Sequence, residues 1–212
     1  MAGLVRGRVA VGMPAMFELL ADYHRAYPAV EMTLSEANSD QLVRQVRDGT
    51  LDLALVGAAG PGPEGLDTRV LLDEPLVAAV PPDDPLARRS TVTLAGLRGR
   101  PLVCLPVGTG VRACLDNACA AARVGLRVAF EASDPRAVAQ LGARGLGVAI
   151  LPASLAALYP DTLVAVPVTH PVPHSRLEFA WRAGAATSPA ARALIALASS
   201  GTSGALSPAT GR

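Results

Sequence analysis

The chain contains no lysine; all 19 of its basic residues are arginine. That absence removes two chemistries at once, because a Walker phosphate loop needs its lysine on the phosphates and a Schiff base needs a lysine amine. Aromatic residues are scarce, at 3%, so no series of platforms exists on which nucleic-acid bases could stack. A net charge of +1 cannot supply the concentrated basic surface that phosphate-backbone binding requires. Cysteine is confined to Cys104, Cys114 and Cys119, an odd number without a CxxC spacing or a histidine pair nearby, which argues against zinc. Cys104 falls in the apolar run LVCL and the other two in an Ala-rich stretch, as small core residues of a reducing compartment do. No apolar run approaches the length needed to span a bilayer. MAGLVRGRVAVG also has no apolar core of a secretory signal, so a cytoplasmic location is expected.

Catalytic signatures are equally sparse. Neither a GxSxG elbow nor a GxGxxG fingerprint occurs. The histidines are His24, His170 and His174, the last two in the Pro-rich stretch THPVPHS, where an HxxxH spacing has no helical meaning. The chain reads as a non-enzyme with no cofactor and no metal.

What is present is a core. With 212 residues, half of them hydrophobic, the chain can bury the interior of one or two lobes. The plainest stretch is SDQLVRQVRDGTLDLALVG, Ser39 to Gly57. Ser39 is placed to cap a helix, Asp40 sits where the helix dipole favours a carboxylate, and Leu42, Val43 and Val46 recur at helical spacing. Gly49 ends the helix, and Leu51, Leu53, Leu55 and Val56 read as a strand buried on both faces, typical of a parallel sheet. Before this unit come a strand at Arg8 to Gly12, a helix from Pro14 stopped by Pro28, and a strand at Val30 to Ala37. Strand, helix, strand, helix, strand is doubly wound α/β.

After a Gly/Pro loop at Gly57 to Gly65, the segment Thr68 to Val80 is interrupted by Asp73, Glu74 and Pro75, which suggests two strands in series. A turn cluster at Pro81 to Pro85 follows, and then the grammar restarts. It predicts a helical turn at Leu94 to Leu97, strands at Pro101 to Pro106 and Leu126 to Ser133, and a helix at Gly110 to Val124. A further helix is capped by Ser133 or Asp134 with Pro135 first, and a buried strand spans Val148 to Leu151. Leu163 to Val168 and Leu177 to Trp181 are extended, and Ser188 and Pro189 open a last helix through Leu197. Gly201 to Arg212 carries no core pattern and is expected to be disordered.

In open α/β sheets a ligand binds beyond the carboxyl ends of strands, where helix amide ends are exposed. Four such joints supply the candidate residues: Met13, Pro14 and Ala15; Asn38 and Ser39; Pro106, Gly108, Thr109 and Gly110; and Ser133 with Asp134. Facing one another across two lobes, they suit a small anion such as a carboxylate. Ser39 and Thr109 would offer hydroxyls, and Gly108 and Gly110 would let the backbone approach closely. The carboxylate of Asp134 would itself occupy or repel at its joint. The competing reading is that Ser39, Ser133 and Asp134 only cap helices.

Several stretches in order resemble the effector-binding domain of LysR-type transcriptional regulators, from about Gly3 to Leu197. They are GRVAVG, LLADYHRAYPAVEM, QLVRQVRDGTLDLALVG, EPLVAAVPPDDPLA, PVGTGVR, VAFEASDPRAVAQLGARGLGVAILP and FAWRAG. The resemblance implies two Rossmann-like lobes joined by two crossover strands, the type II periplasmic-binding-protein-like architecture, with a small effector between the lobes. Lobe I would be discontinuous, residues 1–78 and 166–200, and lobe II would span 79–165. The crossings would lie near Val77 to Pro81 and Leu163 to Val168. The family's N-terminal winged helix-turn-helix is absent from this sequence, so DNA contact is expected only through a segment outside it. A homodimer or higher homo-oligomer is implied, with Leu19, Leu20, Tyr23 and Tyr27 divided between core and interface. Effector binding would shift the angle between the lobes by differential affinity for two states. A solute-binding protein serving transport, with the same fold, is the alternative. Between Gly12 and LLADY the chain is several residues shorter than the family pattern, and Met13, Pro14 and Ala15 replace hydroxyl residues often found there. The effector is then expected to be less polar, or held mainly from Asn38, Ser39 and the second lobe.

Overall fold

A computed structural model describes residues 4–8, 14–60, 62–184 and 187–205. These divide into two compact units. The first takes in the described residues up to Gly57, then 62–72 and 177–205; the second holds Ala58–Gly60 and Asp73–Arg176.

In the first unit, β1 (Leu4–Arg8) and β2 (Glu31–Ser35) pair in parallel, Leu4 opposite Glu31 and Arg8 opposite Ser35. The first strand thus ends where the sequence had it begin, and residues 9–12 lie outside the described residues. Helix α1 (Pro14–Ala26) follows β1 and α2 (Ser39–Asp48) follows β2. Strand β3 (Ala54–Ala58) comes next, and β10 (His174–Arg182) lies between β3 and β4 (Leu66–Val80). Side chains alternate across a strand, and two cores show it. Leu53 and Leu55 join Met16, Tyr23, Leu71, Phe179 and Leu194 in one cluster. Ala54 and Val56 join Leu42, Val46 and Ala180 in the other. This stretch is therefore buried on both faces, as its unbroken apolar run predicts. Tyr23 is fully buried and donates its hydroxyl to the Ala190 carbonyl at 2.8 Å, fixing α1 to the last helix, α6 (Pro189–Ala205). Ser188 caps α6 by accepting from the Ala191 amide at 3.1 Å. The helix continues to Ala205, past the Gly201 at which the sequence predicts disorder, while 206–212 lie outside the described residues.

In the second unit the end of β4 is followed by a 3-10 turn, Pro85–Arg88, capped by Asp84, whose carboxylate also pairs with Arg100. The Arg100 hydrogen bond holds the Asp84 carboxyl below its ordinary range, against the opposing effect of burial. Then come β5 (Val92–Thr93), a 3-10 turn at Leu94–Leu97, β6 (Pro101–Cys104), α3 (Gly110–Ala122), β7 (Arg127–Glu131), α4 (Pro135–Ala143), β8 (Val148–Pro152), α5 (Ala153–Ala156) and β9 (Val164–Thr169). Strand β6 runs parallel to both β7 and β8. The end of β4 pairs antiparallel with β8 on one side and β9 on the other, Ala78 opposite Ile150 and Val166. Leu76 to Val80, Leu102, Val103, Leu115, Val138 and Ile150 are among the buried residues of this core. Helix α4 packs so closely on β8 that a Cβ added at Gly142 would lie 2.6 Å from the Ala149 Cβ.

One expectation needs correction. Thr68 to Val80 is not two strands but part of one 15-residue strand, Leu66–Val80. The polar residues that looked like a break are satisfied: buried Glu74 accepts from the Ser154 amide and hydroxyl, both at 2.7 Å, and Asp73 pairs with His174 at 2.9 Å. Strand β9 falls within the second unit. Besides the excursion of Ala58–Gly60 into the second unit, the chain passes between units inside β4, at 72–73, and inside β10, at 176–177.

Candidate ligand-binding site

The joint between β2 and α2 departs from its sequence reading in one informative way. Asn38, not Ser39, is the cap: its backbone is extended, and its side chain accepts from the Gln41 amide at 2.9 Å. Ser39 is the first helical residue, and its hydroxyl oxygen accepts from the Gly57 amide at 3.0 Å, at the far end of β3. A serine in that role keeps one proton to donate. The amides of Ser39 and Asp40 start the helix and have no intrahelical acceptor, so they carry the positive end of its dipole. Gly49 closes the helix with φ 81°, where glycine is the residue without steric cost.

At the joint between β6 and α3, Thr109 is the cap. Its hydroxyl donates to the Pro106 carbonyl at 2.7 Å, and its oxygen accepts from the Arg112 amide at 3.4 Å. Gly108, at φ 88°, makes the turn that brings these atoms together. The proton of Thr109 is thus spent inside its own loop, contrary to the expectation that it is offered to a ligand. Gly110 is buried, so the close backbone approach expected there falls to Gly108.

The third joint lies beside it, because β6 and β7 are adjacent and parallel with Cys104 opposite Glu131, and the Ala132 amide donates to the Cys104 carbonyl at 3.2 Å. Pro106 to Gly110 and Ser133 with Asp134 therefore share one carboxyl edge of the second unit's sheet. Of the two capping candidates, Asp134 is the cap; it accepts from the Arg136 amide at 2.8 Å and fills the amide end of α4 with its own carboxylate. Ser133 is exposed beside it.

In the first unit, Pro14 and Ala15 are the first residues of α1. Met13 lies outside the described residues. An open depression of about 640 Å³, lined by His24, Pro28, Ala29, Val30, Glu31 and Met32, sits instead at the amino end of β2 and contains none of the candidates.

Arg112 is the residue sequence reasoning passed over. Its Nε contacts both carboxylate oxygens of Asp116 at 3.1 Å, and its Nη1 pairs with Glu131. Burial alone would lower its pKa, but the hydrogen bonds it donates to Glu131 and Asp116 outweigh that and raise it. Its charge is consumed in pinning the first turn of α3 to β7, and only the i, i+4 spacing of Arg112 and Asp116 could have hinted at it. Among the described residues, no cluster of three or more His, Cys, Asp or Glu side chains could hold a metal. His174 is not in a loop but opens β10, where it faces Asp73. Chemically, the described joints can bind; they present amides and hydroxyls, with no paired acid and base or activated nucleophile.

Residues 2–202 match the family model described as the LysR substrate binding domain. The chain is 32% identical over 180 residues to the uncharacterized HTH-type transcriptional regulator YnfL of Escherichia coli K12, covering 84% of this chain and 60% of that one. It spans about three fifths of the length of the curated relatives it matches. Among solved structures, the regulatory domain of Synechocystis PCC6803 CcmR in complex with 2-PG aligns with a TM-score of 0.81 at 24% identity, over 95% of this chain and 98% of that one. The effector-binding domain of QuiR in complex with shikimate aligns at 0.78 and 17% identity, over 93% and 96%. At those identities the likeness concerns fold, and the fold is the two-lobed type II periplasmic-binding-protein-like one.

Proposed function

The chain belongs to the LysR substrate-binding domain family, and on that premise we propose that it is the effector-sensing and oligomerisation segment of a LysR-type transcriptional regulator. It binds a small metabolite, and the rest of the protein contacts DNA. The regulator relatives favour this over transport. No helix among the described residues is long and apolar enough to cross a membrane, and a cytoplasmic site of action goes with the same reading.

The observation that carries the binding proposal is the helix start at Asn38–Ser39 in the first unit, which ends a strand-to-helix joint; Gly108–Thr109 is a joint of the same kind within the second unit. Amides of this kind suit the carboxylate of a small acid. Thr109 keeps its proton and Arg112 its charge within the protein, so the ligand is held by backbone amides and the Ser39 hydroxyl. Met13, Pro14 and Ala15 add no hydroxyl. A compact acid with few other polar groups fits this donor set; the CcmR and QuiR domains of the same fold are solved in complex with 2-PG and with shikimate. Self-association through α1 is part of the proposal: Tyr23 is committed to the core, Leu19 and Leu20 are half-buried, and Phe17 and Tyr27 are exposed.

Calorimetry with a panel of small carboxylates and their neutral amides tests this. A carboxylate should bind, its amide at least tenfold more weakly, and Ser39→Ala should cost about fivefold in affinity, the worth of one hydrogen bond. His24→Ala, in the depression at the other end of β2, should change nothing. Equal binding of acid and amide would refute the anionic reading.

A further inference from the structure

We propose that Gly57 to Gly60 form a short strap that links the amide end of α2 to α3, so that what happens at the Ser39 hydroxyl is felt where α3 holds Ala59. The proposal rests on the reading of Ser39 as an effector contact. The first residue of the strap is held by the first unit, through the Gly57 amide and Ser39 Oγ at 3.0 Å. The next three are counted with the second unit, and the chain then returns to the first. Helix α3 holds them from one face: Asn117 Nδ2 donates to the Ala59 carbonyl at 3.4 Å, and Cys114 Sγ lies 3.6 Å from the Ala58 carbonyl. A thiol has one proton, and the His174 carbonyl at 2.8 Å is its better acceptor, so Asn117 is the principal donor to the strap. Ala59 also packs against the second unit's core. Gly60, at φ 111°, is in a conformation open to glycine and turns the chain away.

Length makes this segment a strap and not a slack loop. Three residues reach roughly 10 Å at most, so a displacement at Gly57 cannot be absorbed before Ala59. The bonds at its far end are long and weak, which places the segment among elements that open locally at small cost. A ligand that draws on the Ser39 proton changes the acceptor of the Gly57 amide, and by reciprocity the hold at Ala59 changes the state of Ser39.

The test uses amide exchange by NMR on the ligand-free full chain, so its outcome is separate from whether any carboxylate binds. Asn117→Asp removes the donor without changing the size of the side chain, and Asn117→Ala is the second variant. Both should speed exchange at Gly57, which Asn117 does not touch, by about fivefold or more, the low end of coupling between sites, with the amides of α3 unchanged. In the converse direction, Ser39→Ala should shift the side-chain amide resonances of Asn117. Acceleration confined to Ala59 and Gly60, with Gly57 unmoved in both Asn117 variants, would overturn the strap and leave Asn117 a local contact.

Discussion

Cys104 lies on β6 with no exposed surface, and burial pushes its thiol up to about 12; Cys114, buried against the His174 carbonyl, is pushed up to about 11 for the same reason. Cys119 is half-buried and raised as well. The thiolate is the nucleophile, so a raised pKa means an inert sulfur. Cys119 lies five positions after Cys114 on α3, which turns them to different faces of the helix. Iodoacetamide at pH 8 should therefore label Cys119 first and leave Cys104 and Cys114 unlabelled until urea unfolds the chain, and hydrogen peroxide should form no disulfide. Mass spectrometry of the labelled peptides decides it, and rapid labelling of Cys104 in the folded protein would contradict the burial argument. The sign for stability follows: these thiols are held protonated in the fold, so their contribution is intact below the ordinary thiol range and declines as pH rises toward their folded values.

Strand β4 separates what a local pattern can tell from what it cannot. Glu74 accepts two hydrogen bonds from Ser154, eighty residues on, and that contact lets an acid sit buried inside a strand. Removing it leaves the Ser154 amide without its acceptor, so Glu74→Ala should destabilise by about 1–3 kcal/mol, read as a lower urea midpoint with an unchanged m-value. A midpoint equal to wild type would mean that solvent replaces the carboxylate there. No feature of residues 73–75 announces Ser154, which is why Asp73, Glu74 and Pro75 read as a break. Helix ends were legible for the opposite reason. Asp134, Pro135, Ser188, Pro189 and Gly49 act on amides and carbonyls within a few residues, and each ends or starts a helix where its chemistry predicts. The hydrogen-bond partners of the candidate residues were not legible on the same terms. Thr109 caps locally although its hydroxyl was expected to face a ligand, the partner of Ser39 is Gly57, on another strand, and Arg112 spends its charge on Glu131, on another still.

The two units differ in how the chain supplies them, and the difference has a measurable consequence. Hydrophobic periodicity marks a strand as buried without saying in which core, so β9 and the end of β4 could not be assigned from their pattern; register does it, with Val77 to Val80 paired to Val164 to Pro167. Once paired, nearly the whole second unit comes from one continuous run, Asp73–Arg176, and only Ala58–Gly60 is supplied from elsewhere. The first unit is assembled from separated pieces, with Phe179, Ala190 and Leu194 packed on Met16, Tyr23 and Leu55. A fragment spanning 73–176 should therefore fold alone, keeping β4, β6, β7, β8 and β9 and the core around Leu102 and Ile150, with dispersed amide resonances and a single cooperative urea transition. A fragment ending at 176 should leave the first unit without β10 and α6, hence without the acceptor for the Tyr23 hydroxyl, and its residues up to 72 should exchange like an unfolded chain. If the 73–176 fragment shows neither dispersion nor a cooperative transition, the second unit's core depends on the first, and the division of the chain into independently stabilised bodies is wrong.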